Sequence, residues 1–353
     1  MRRFMLCALA LLLLLGAATV LATKELAGKY ESGDYRYDIL DDGTVRIARY
    51  LGDAEELRLP DEIDGRKVTA IADRGLGYSA VVEITLPDSL VSIDRNPFSD
   101  YENLVRINVS SENPCFETID GVLFTKTDRS LICFPRGRSD EEYSVPEGVC
   151  SIGVEAFGNC NNLTKVVLPE GVTVIRQEAF DRCENLETVV LPEDLTTIEH
   201  QAFVCCKSLA EIELPDSLTD LGSYVFNQCS SLVEIRIPDG INDLASGAFY
   251  CCDSLKTVEL PQSLREIGGN AFCKCRSLES IVIPKGTVRI CSDAFTYCAN
   301  LSYVSLPKSV GFIAPHAFYG CENLTVRVSA GSYAERYCKN CGIKIIYTKT
   351  IYD

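Results

Sequence analysis

The chain has 353 residues, of which 46% are hydrophobic and 24% charged, and this globular composition excludes a disordered chain. With 34 Lys and Arg against 50 Asp and Glu, the formal net charge is −16, so the chain lacks the basic surface that a nucleic-acid-binding protein uses to neutralise phosphates. Because 2 His leave little material for imidazole metal ligands or for acid–base catalysis, we expect no catalytic residue, no metal site and no cofactor.

Residues 1–22 have the pattern of a secretory signal peptide. Arg2 and Arg3 precede an uncharged apolar run that starts at Phe4, and small residues lead up to Ala22, after which we expect cleavage. The alternative is an uncleaved membrane anchor, because the run is within the roughly 17 to 25 apolar residues that span a bilayer. The sequence predicts a secreted chain without stable membrane insertion or, in the alternative, a chain tethered by its N-terminal segment.

Residues 23–85 predict an N-terminal cap made of β-hairpins and a degenerate repeat. The alternating segments 35–40 and 44–47 flank Asp42-Gly43, a dipeptide typical of tight hairpin turns. Asp64-Gly65 marks a further hairpin in the same region. We expect these hairpins to cover the open core of the first regular repeat.

A repeat of 23 residues organises the array that we assign to residues 86–328. Leu-Pro or Ile-Pro dipeptides, Ala-Phe pairs and Cys recur in three columns at this interval. The Phe column comprises Phe157, Phe180, Phe203, Phe226, Phe249, Phe272, Phe295 and Phe318. The Cys column comprises Cys160, Cys183, Cys206, Cys229, Cys252, Cys275, Cys298 and Cys321. A fixed period of this length is typical of a solenoid.

Each repeat unit predicts a short strand followed by turns. In one unit Val166 and Leu168 face inward and Lys165 and Val167 outward, before Pro169 ends the strand. The Ala-Phe pair further along supplies a small and a large apolar side chain at a helical or 3₁₀ turn. A single unit buries too few apolar side chains to fold alone, so the units must stack on one another.

The unit resembles the 23-residue leucine-rich repeat of the BspA-like cell-surface family. The resemblance covers residues 86–328 by register, and both flanks are similar to the end pieces of that family. It implies a leucine-rich-repeat solenoid of the α/β class, made mostly of short β-strands with short helical or 3₁₀ turns. It also implies a location outside the cell and a use in adhesion or in binding host proteins.

One interval of the array is too long. Leu104 and Leu163 hold the same place in the repeat but are 59 residues apart, which is 36 more than one period. The excess, about residues 110–144, contains Asp120-Gly121 between alternating apolar residues. This pattern predicts an inserted β-hairpin.

Residues 329–353 predict a C-terminal cap. The repeat loses its register at Val326, and the sequence from Ser332 to Asn340 then favours a short capped helix. A final strand is expected from Ile343 to Tyr347. The cap closes the open end of the last repeat, as solenoids require.

The cysteine column has three possible interpretations. Stacked units place equivalent atoms about 4.8 Å apart, but side chains that point in the same direction are poorly oriented for disulfides. We therefore expect a ladder of free thiols, with scattered disulfides and metal or redox use as alternatives. Cys338 and Cys341 are expected to form a structural pair in the cap, either reduced or oxidised. Additional cysteines outside the column are Cys205, Cys251, Cys273 and Cys291.

The outward side of the strands is the candidate binding surface, because a solenoid leaves this side of its sheet open. We call it the strand face, and its two outward rows are Lys165, Thr188, Glu211, Glu234, Thr257, Ser280 and Tyr303, and Val167, Val190, Glu213, Arg236, Glu259, Val282 and Ser305. Its middle is acidic and predicts a basic protein partner, whereas the alternative is a solvated face that only prevents aggregation.

The sequence thus predicts a secreted, non-catalytic scaffold that binds an extracellular protein, as in adhesion to a host or matrix protein. The alternative function is a carbohydrate-binding surface module. A hydrolase is disfavoured because no pair of carboxylates and no nucleophile arrangement stands out. No nucleic-acid partner is expected.

Overall fold

The computed structural model describes residues 28–73, 75–76 and 80–348. The predicted signal peptide and its alternative, an uncleaved anchor, lie outside the described residues. Within those residues, no helix is both long and apolar enough to cross a membrane.

The N-terminal region is a stack of short strands. Its strands are β1 (Tyr30–Ser32), β2 (Tyr35–Ile39), β3 (Val45–Tyr50), β4 (Glu56–Arg58), β5 (Glu62–Ile63), β6 (Arg66–Ile71), β7 (Glu83–Leu86), β8 (Ser92–Ile93) and β9 (Arg106–Val109). The predicted hairpins are confirmed: β2 and β3 are antiparallel around Asp42-Gly43, and β5 and β6 around Asp64-Gly65. Another hairpin, β1 with β2, was not predicted. Because β4, β7 and β9 pair in parallel, coil stacking already begins in the segment predicted as degenerate.

The predicted insertion is a hairpin extended by a third strand. It consists of β10 (Phe116–Ile119), β11 (Val122–Thr125) and β12 (Ser130–Cys133). The turn at Asp120-Gly121 joins β10 to β11, and β12 continues into the array by pairing in parallel with the strand at Ser151. Val122 and Phe124 belong to the core of the array, whereas Leu123 between them belongs to the N-terminal core. The insertion therefore lies between the two cores and contributes buried side chains to each of them.

The array winds each unit through two strips of parallel strands. The first strip carries the strand face and consists of β13 (Glu142–Ser144), β15 (Lys165–Val167), β17 (Thr188–Val190), β20 (Glu234–Arg236), β22 (Thr257–Glu259), β24 (Ser280–Val282), β26 (Tyr303–Ser305) and β28 (Thr325–Val328). The second strip consists of β14 (Ser151–Ile152), β16 (Val174–Ile175), β18 (Thr197–Ile198), β19 (Asp220–Leu221), β21 (Asp243–Leu244), β23 (Glu266–Ile267), β25 (Arg289–Ile290) and β27 (Phe312–Ile313). Leu, Ile and Val from both strips fill one continuous core. The structure is the predicted leucine-rich-repeat solenoid.

The segment around each Ala-Phe pair, which we call the Ala-Phe edge, differs from the helical or 3₁₀ turn that the sequence suggested. It consists of single turns, because residues two before and two after each Phe have positive φ, for example Glu155 at 55° and Asn159 at 59°. This alternation directs the N–H of Phe157 to the carbonyl of Ala179 in the next coil, at 2.8 Å, rather than along a helix. The Ala-Phe edge is therefore a third ladder between coils.

Two columns of side chains fill the space behind the Ala-Phe edge. The Phe rings stack nearly parallel, from 4.9 Å between the centroids of Phe157 and Phe180 to 5.6 Å between those of Phe226 and Phe249. Each column thiol lies close to a Phe carbonyl oxygen of an earlier coil, as Cys252 Sγ does to Phe226 O at 3.1 Å. The thiol donor thus satisfies a buried carbonyl in every coil.

The C-terminal cap has the predicted elements. Helix α1 (Tyr333–Asn340) begins after Ser332, whose hydroxyl accepts a hydrogen bond from the N–H of Glu335 at 3.1 Å. Strand β29 (Lys344–Tyr347) follows and pairs in parallel with β28, which extends the first strip by one strand. The helix packs its buried Ala334 and Cys338 against the core of the array.

Candidate functional site

The strand face is built by the outward residues of the first strip, which parallel pairing aligns in rows. Lys165 pairs with Thr188, Glu234 with Thr257, and Ser280 with Tyr303. Every residue predicted for this face is at least partly accessible. The most accessible are Val190, Glu211, Glu213, Glu234, Arg236, Thr257, Glu259, Ser280 and Val282, and the half-buried ones are Lys165, Val167, Thr188, Tyr303 and Ser305.

The first strip is interrupted in its acidic middle. The ladder that joins β13, β15 and β17 reaches the next coil only through a single bridge between Thr188 and Glu211. Strands β20 and β22 then form a separate two-stranded sheet, and the ladder starts again at β24. Ile212 and Leu214 beneath the interruption are each 6% exposed, whereas Val166 and Val304 in the continuous parts are fully buried. The interruption therefore opens the core slightly toward the strand face.

Two shallow grooves flank the interrupted strand. The groove on the β17 side has a volume of about 390 Å³ and runs past Thr188, Val190 and Glu193. The groove on the β20 side has a volume of about 450 Å³ and is bordered by Glu234 and Glu259. Ile212 and Leu214 line both grooves, and Glu211 and Glu213 border both. Each groove thus combines an apolar floor with a rim of carboxylates.

Arg236, the cation that lines both grooves, has a partner outside the rows. Its guanidinium donates a hydrogen bond to Asp216 at 2.9 Å. This hydrogen bond, followed by the charge of Asp216, raises the pKa of Arg236. Asp216 belongs to the loop after Pro215, and row alternation within the strands could not reveal it.

Four glutamates of the strand face lack a cation in direct contact, although Glu259 pairs across the ladder with Arg236 and its charge helps to raise the pKa of that guanidinium. In the part of the chain that the structure describes, no ion pair or side-chain hydrogen bond involves Glu211, Glu213, Glu234 or Glu259. The two glutamates of the first row, Glu211 and Glu234, lie in adjacent coils. The grooves are therefore strongly acidic.

The second strip has an acidic run in the same coils. Asp220, Asp243 and Glu266 are outward residues of successive strands, and the ladder breaks between the first two of them. Glu266 pairs with Arg289 at 3.3 Å, and the Arg289 guanidinium lies 5.4 Å from the centre of the Phe312 ring. Both strips are therefore interrupted between the same two coils, and in both cases acidic side chains border the break.

The thiols of the described residues are free and mostly buried. Among these residues no group of three or more His, Cys, Asp and Glu side chains is arranged to hold a metal ion. Burial raises the pKa of Cys183 to about 12 and also raises the pKa of Cys252. A thiol that stays protonated is a poor nucleophile and a poor metal ligand.

Comparison with protein families gives one match. The model of the BspA type leucine rich repeat region matches in 6 copies over residues 62–137, 132–229 and 196–325, which together exceed half of the chain. The match begins inside the segment predicted as the N-terminal cap. Among curated proteins, no relative matches the chain.

Solved structures of bacterial proteins share the fold. A leucine-rich repeat protein from Eubacterium ventriosum is 20% identical, with 82% of this chain and 93% of that chain covered and a TM-score of 0.55. A leucine-rich repeat protein from Bacteroides ovatus is 23% identical, with 91% and 100% covered and a TM-score of 0.50. A leucine rich cell surface protein from Faecalibacterium prausnitzii is 22% identical, with 87% and 96% covered and a TM-score of 0.44. At these identities the likeness to the first two structures concerns the fold alone.

Proposed function

The chain belongs to the BspA-type leucine-rich repeat family, and from this premise we propose that it is an exported, non-catalytic scaffold that binds another protein through its strand face. The observation that carries the proposal is the pair of acidic grooves beside the interrupted strand at Glu211. These grooves lie beside a break in the ladder of the first strip, and their rims carry glutamates that form no ion pair within the described residues.

The grooves fit the side chains of a basic partner. A Lys or Arg side chain has an apolar stem and a charged end, so its stem can lie on Ile212 and Leu214 while its end reaches a carboxylate at the rim. The four unpaired glutamates attract such a partner from a distance and speed its association. Val190 and Val282, which are 43% and 66% exposed, add apolar contact on either side.

The proposal is tested with a variant in which Glu211, Glu213, Glu234 and Glu259 are all changed to Gln. Wild type and variant are used to capture proteins from an extracellular extract, and association rates are then measured with the captured protein. The matched control changes Glu62, Glu112, Glu147 and Glu170 to Gln, because these exposed residues lie outside both grooves and give the same change in net charge.

We expect the groove variant to associate at least about tenfold more slowly at low salt, and the control to keep the wild-type rate. The difference should shrink as salt is raised, because exposed charges are screened beyond about 8 Å at physiological ionic strength. Equal rates and equal salt dependence for the two variants would reject the acidic-groove proposal.

A carbohydrate partner is the second candidate, and one observation favours it. Tyr303 lies in the first row between the hydroxyl-bearing Ser280 and Thr325, so this end of the strand face combines a ring with hydrogen-bonding groups. An aromatic ring beside hydroxyls suits a sugar, which has both apolar and polar sides. A glycan array probed with wild type and with Tyr303→Ala separates the two candidates, since protein binding through the grooves does not need this ring.

Export is part of the proposal and rests on residues 1–22 of the sequence. We expect the chain in the culture medium, with its N-terminus at Thr23. Recovery of the full-length chain in the membrane fraction would instead support the tethered alternative.

A further inference from the structure

A cleft separates the last coil of the array from the C-terminal cap. Its volume is about 640 Å³, which is larger than that of either groove on the strand face. Tyr319, Gly320 and Cys321 of the last coil line one wall, and Tyr337 and Cys341 of the cap line the other. The cleft therefore lies where a further coil would stack if the array continued.

Within the array, the Ala-Phe edge passes main-chain hydrogen bonds from each coil to the next. The N–H of each column Phe before Phe318 donates to the next coil, as Phe272 does to Ala294 and Phe295 does to Ala317, both at 2.8 Å. The N–H two residues later does the same, as Tyr297 does to Tyr319 at 2.8 Å, and in most coils so does the N–H two residues earlier, as Asn270 does to Ser292 at 3.0 Å. Each of these coils thus presents at least two donors, two residues apart, toward the C-terminal side.

The last coil presents the same two donors without acceptors. Across the residues that the structure describes, the N–H groups of Phe318 and Gly320 have no hydrogen-bond acceptor, although Phe295 and Tyr297 one coil earlier are satisfied. Both residues line the cleft, and Gly320 has the positive φ, 77°, that this column requires. Unsatisfied main-chain donors beside a cleft are groups that a ligand can satisfy.

The cap covers the side chains of the last coil but leaves its main chain open. Tyr337 of α1 packs edge-on against Phe318, at 6.4 Å between ring centres, and its hydroxyl lies 3.5 Å from the carbonyl of Ala314. The carbonyls of a helix are mostly bonded within the helix, so α1 has few to offer to neighbouring N–H groups. The apolar end of the array is thus closed, while the polar end of the Ala-Phe edge is not.

We propose that this cleft binds the main chain of a peptide segment that takes the place of the missing coil. Two carbonyls of the peptide, two residues apart, accept hydrogen bonds from the N–H groups of Phe318 and Gly320. Tyr319 and Tyr337 form aromatic walls beside it, and Lys344 and Glu322 lie at its rim. This mode is strand addition at an open edge, in which the main chain supplies the affinity.

A peptide fits these groups better than a free anion. In the other pairs of neighbouring coils, two donors with this spacing bond to two carbonyls that are two residues apart. The open donors of the last coil therefore match a peptide chain rather than a single small group. Of the two charged side chains at the rim, Glu322 opposes a carboxylate or phosphate ligand and Lys344 attracts one, so charge does not favour a free anion. The site is separate from the strand face, so it does not depend on the function proposed above.

Amide hydrogen exchange on the full chain tests the proposal directly. In the free protein the amides of Phe318 and Gly320 should exchange at least about 100-fold faster than those of Phe295 and Tyr297. The probe is an end-blocked synthetic peptide with the sequence of residues 154–159, Val-Glu-Ala-Phe-Gly-Asn, which is an Ala-Phe edge of this chain. Its addition should slow exchange at Phe318 and Gly320 about tenfold or more.

Further controls make the result decisive. Sodium acetate, which offers carboxylate oxygens but no chain of carbonyls, should leave both amides unchanged. Cys341→Trp, which fills the cleft from an exposed position, should weaken binding of the probe at least about tenfold, whereas Cys150→Trp at an exposed position outside the cleft should not. Slow exchange of both amides in the free protein, no effect of the probe, or equal protection by acetate would overturn the proposal.

Discussion

The Ala-Phe edge and the strand face are two sides of the same coils, yet their ladders behave differently. Along the Ala-Phe edge, main-chain hydrogen bonds, Phe stacking and thiol contacts run through every coil from Phe157 to Phe318. On the strand face the ladder breaks beside Glu211, where the outward side chains are acidic. The inner columns therefore hold the solenoid together, and the outward residues of the strand face can differ from coil to coil.

The largest effect is expected from high pH, which acts on the buried thiols of several coils along the Ala-Phe edge at once. Burial raises the pKa of Cys183 from its ordinary value of 9.0 to about 12, and the pKa of other column thiols also rises. The unfolded chain then loses thiol protons at a lower pH than the folded chain does. Stability should therefore be unaffected by these thiols below about pH 9 and should fall as the pH rises from about 9 toward about 12.

Denaturant midpoints measured from pH 7 to pH 11 check this expectation. Each pKa unit between the folded and unfolded states corresponds to about 1.4 kcal/mol for each thiol, so the fall should be steep. A flat profile across this range would show that the column thiols are not protected by the coils.

The second effect concerns a single ring of the Phe column. Phe226 is fully buried between Phe203 and Phe249, at 5.5 Å and 5.6 Å between ring centres. Phe226→Ala should lower the free energy of unfolding by about 3 to 5 kcal/mol, because it removes apolar contacts and leaves a cavity. Chemical denaturation measures the change, with Phe312→Ala as the control, since Phe312 is 43% exposed. A loss of under about 1 kcal/mol for Phe226→Ala would contradict a continuous inner column.

The third effect tests whether the Tyr101 hydroxyl satisfies a buried carbonyl as the column thiols do. Tyr101 stands where the repeat has Cys elsewhere, and its buried hydroxyl donates to the carbonyl of Leu76 at 2.7 Å. Tyr101→Phe keeps the ring but leaves this carbonyl without that donor, so it should cost about 1 to 3 kcal/mol. Tyr319→Phe is the matched control, because Tyr319 is 57% exposed. Equal stability of the two variants would show that the Tyr101 hydroxyl does not stabilise the fold in the way proposed for the column thiols.

The smallest effect is expected on the strand face. Glu234→Gln removes one of two like charges in adjacent coils of the first row, so it should raise stability by less than about 1 kcal/mol. Ser280→Gln, at an uncharged position of the same row, should be neutral. Destabilisation by Glu234→Gln would mean that the carboxylate holds the broken ladder in place.

Most of the fold was predictable, because the 23-residue period of its coils recurs in the sequence. The recurrence of Phe and Cys fixed the coil, and the Asp-Gly dipeptides located three of the hairpins, at Asp42, Asp64 and Asp120. The conformation of the Ala-Phe edge was not predictable, since its positive φ positions carry Glu, Gln, Arg and Tyr in most coils. Gly247 and Gly320 favour that conformation, and Asn159, Asn270 and Asp293 tolerate it, but these residues are scattered over the two columns and form no repeated signal.

The candidate sites were only partly predictable. The rows of the strand face follow from alternation, so the outward glutamates were identified, but the pairing of Arg236 with Asp216 depends on a loop outside the rows. The interruption beside Glu211 was invisible, because its coil has the same motif as its neighbours. The open donors of Phe318 and Gly320 depend on how the cap stacks, which no local pattern encodes.

The thiol column gives the molecule a set of built-in reporters, one for each coil. The Sγ of a buried column cysteine contacts a carbonyl of the preceding coil, so a reagent reaches it only when neighbouring coils separate transiently. The rate at which each cysteine is labelled would therefore map local breathing along the whole length of the protein. Rapid labelling near Cys229 and Cys252, beside the coils where both strips are interrupted, would mark the point at which the stack first comes apart.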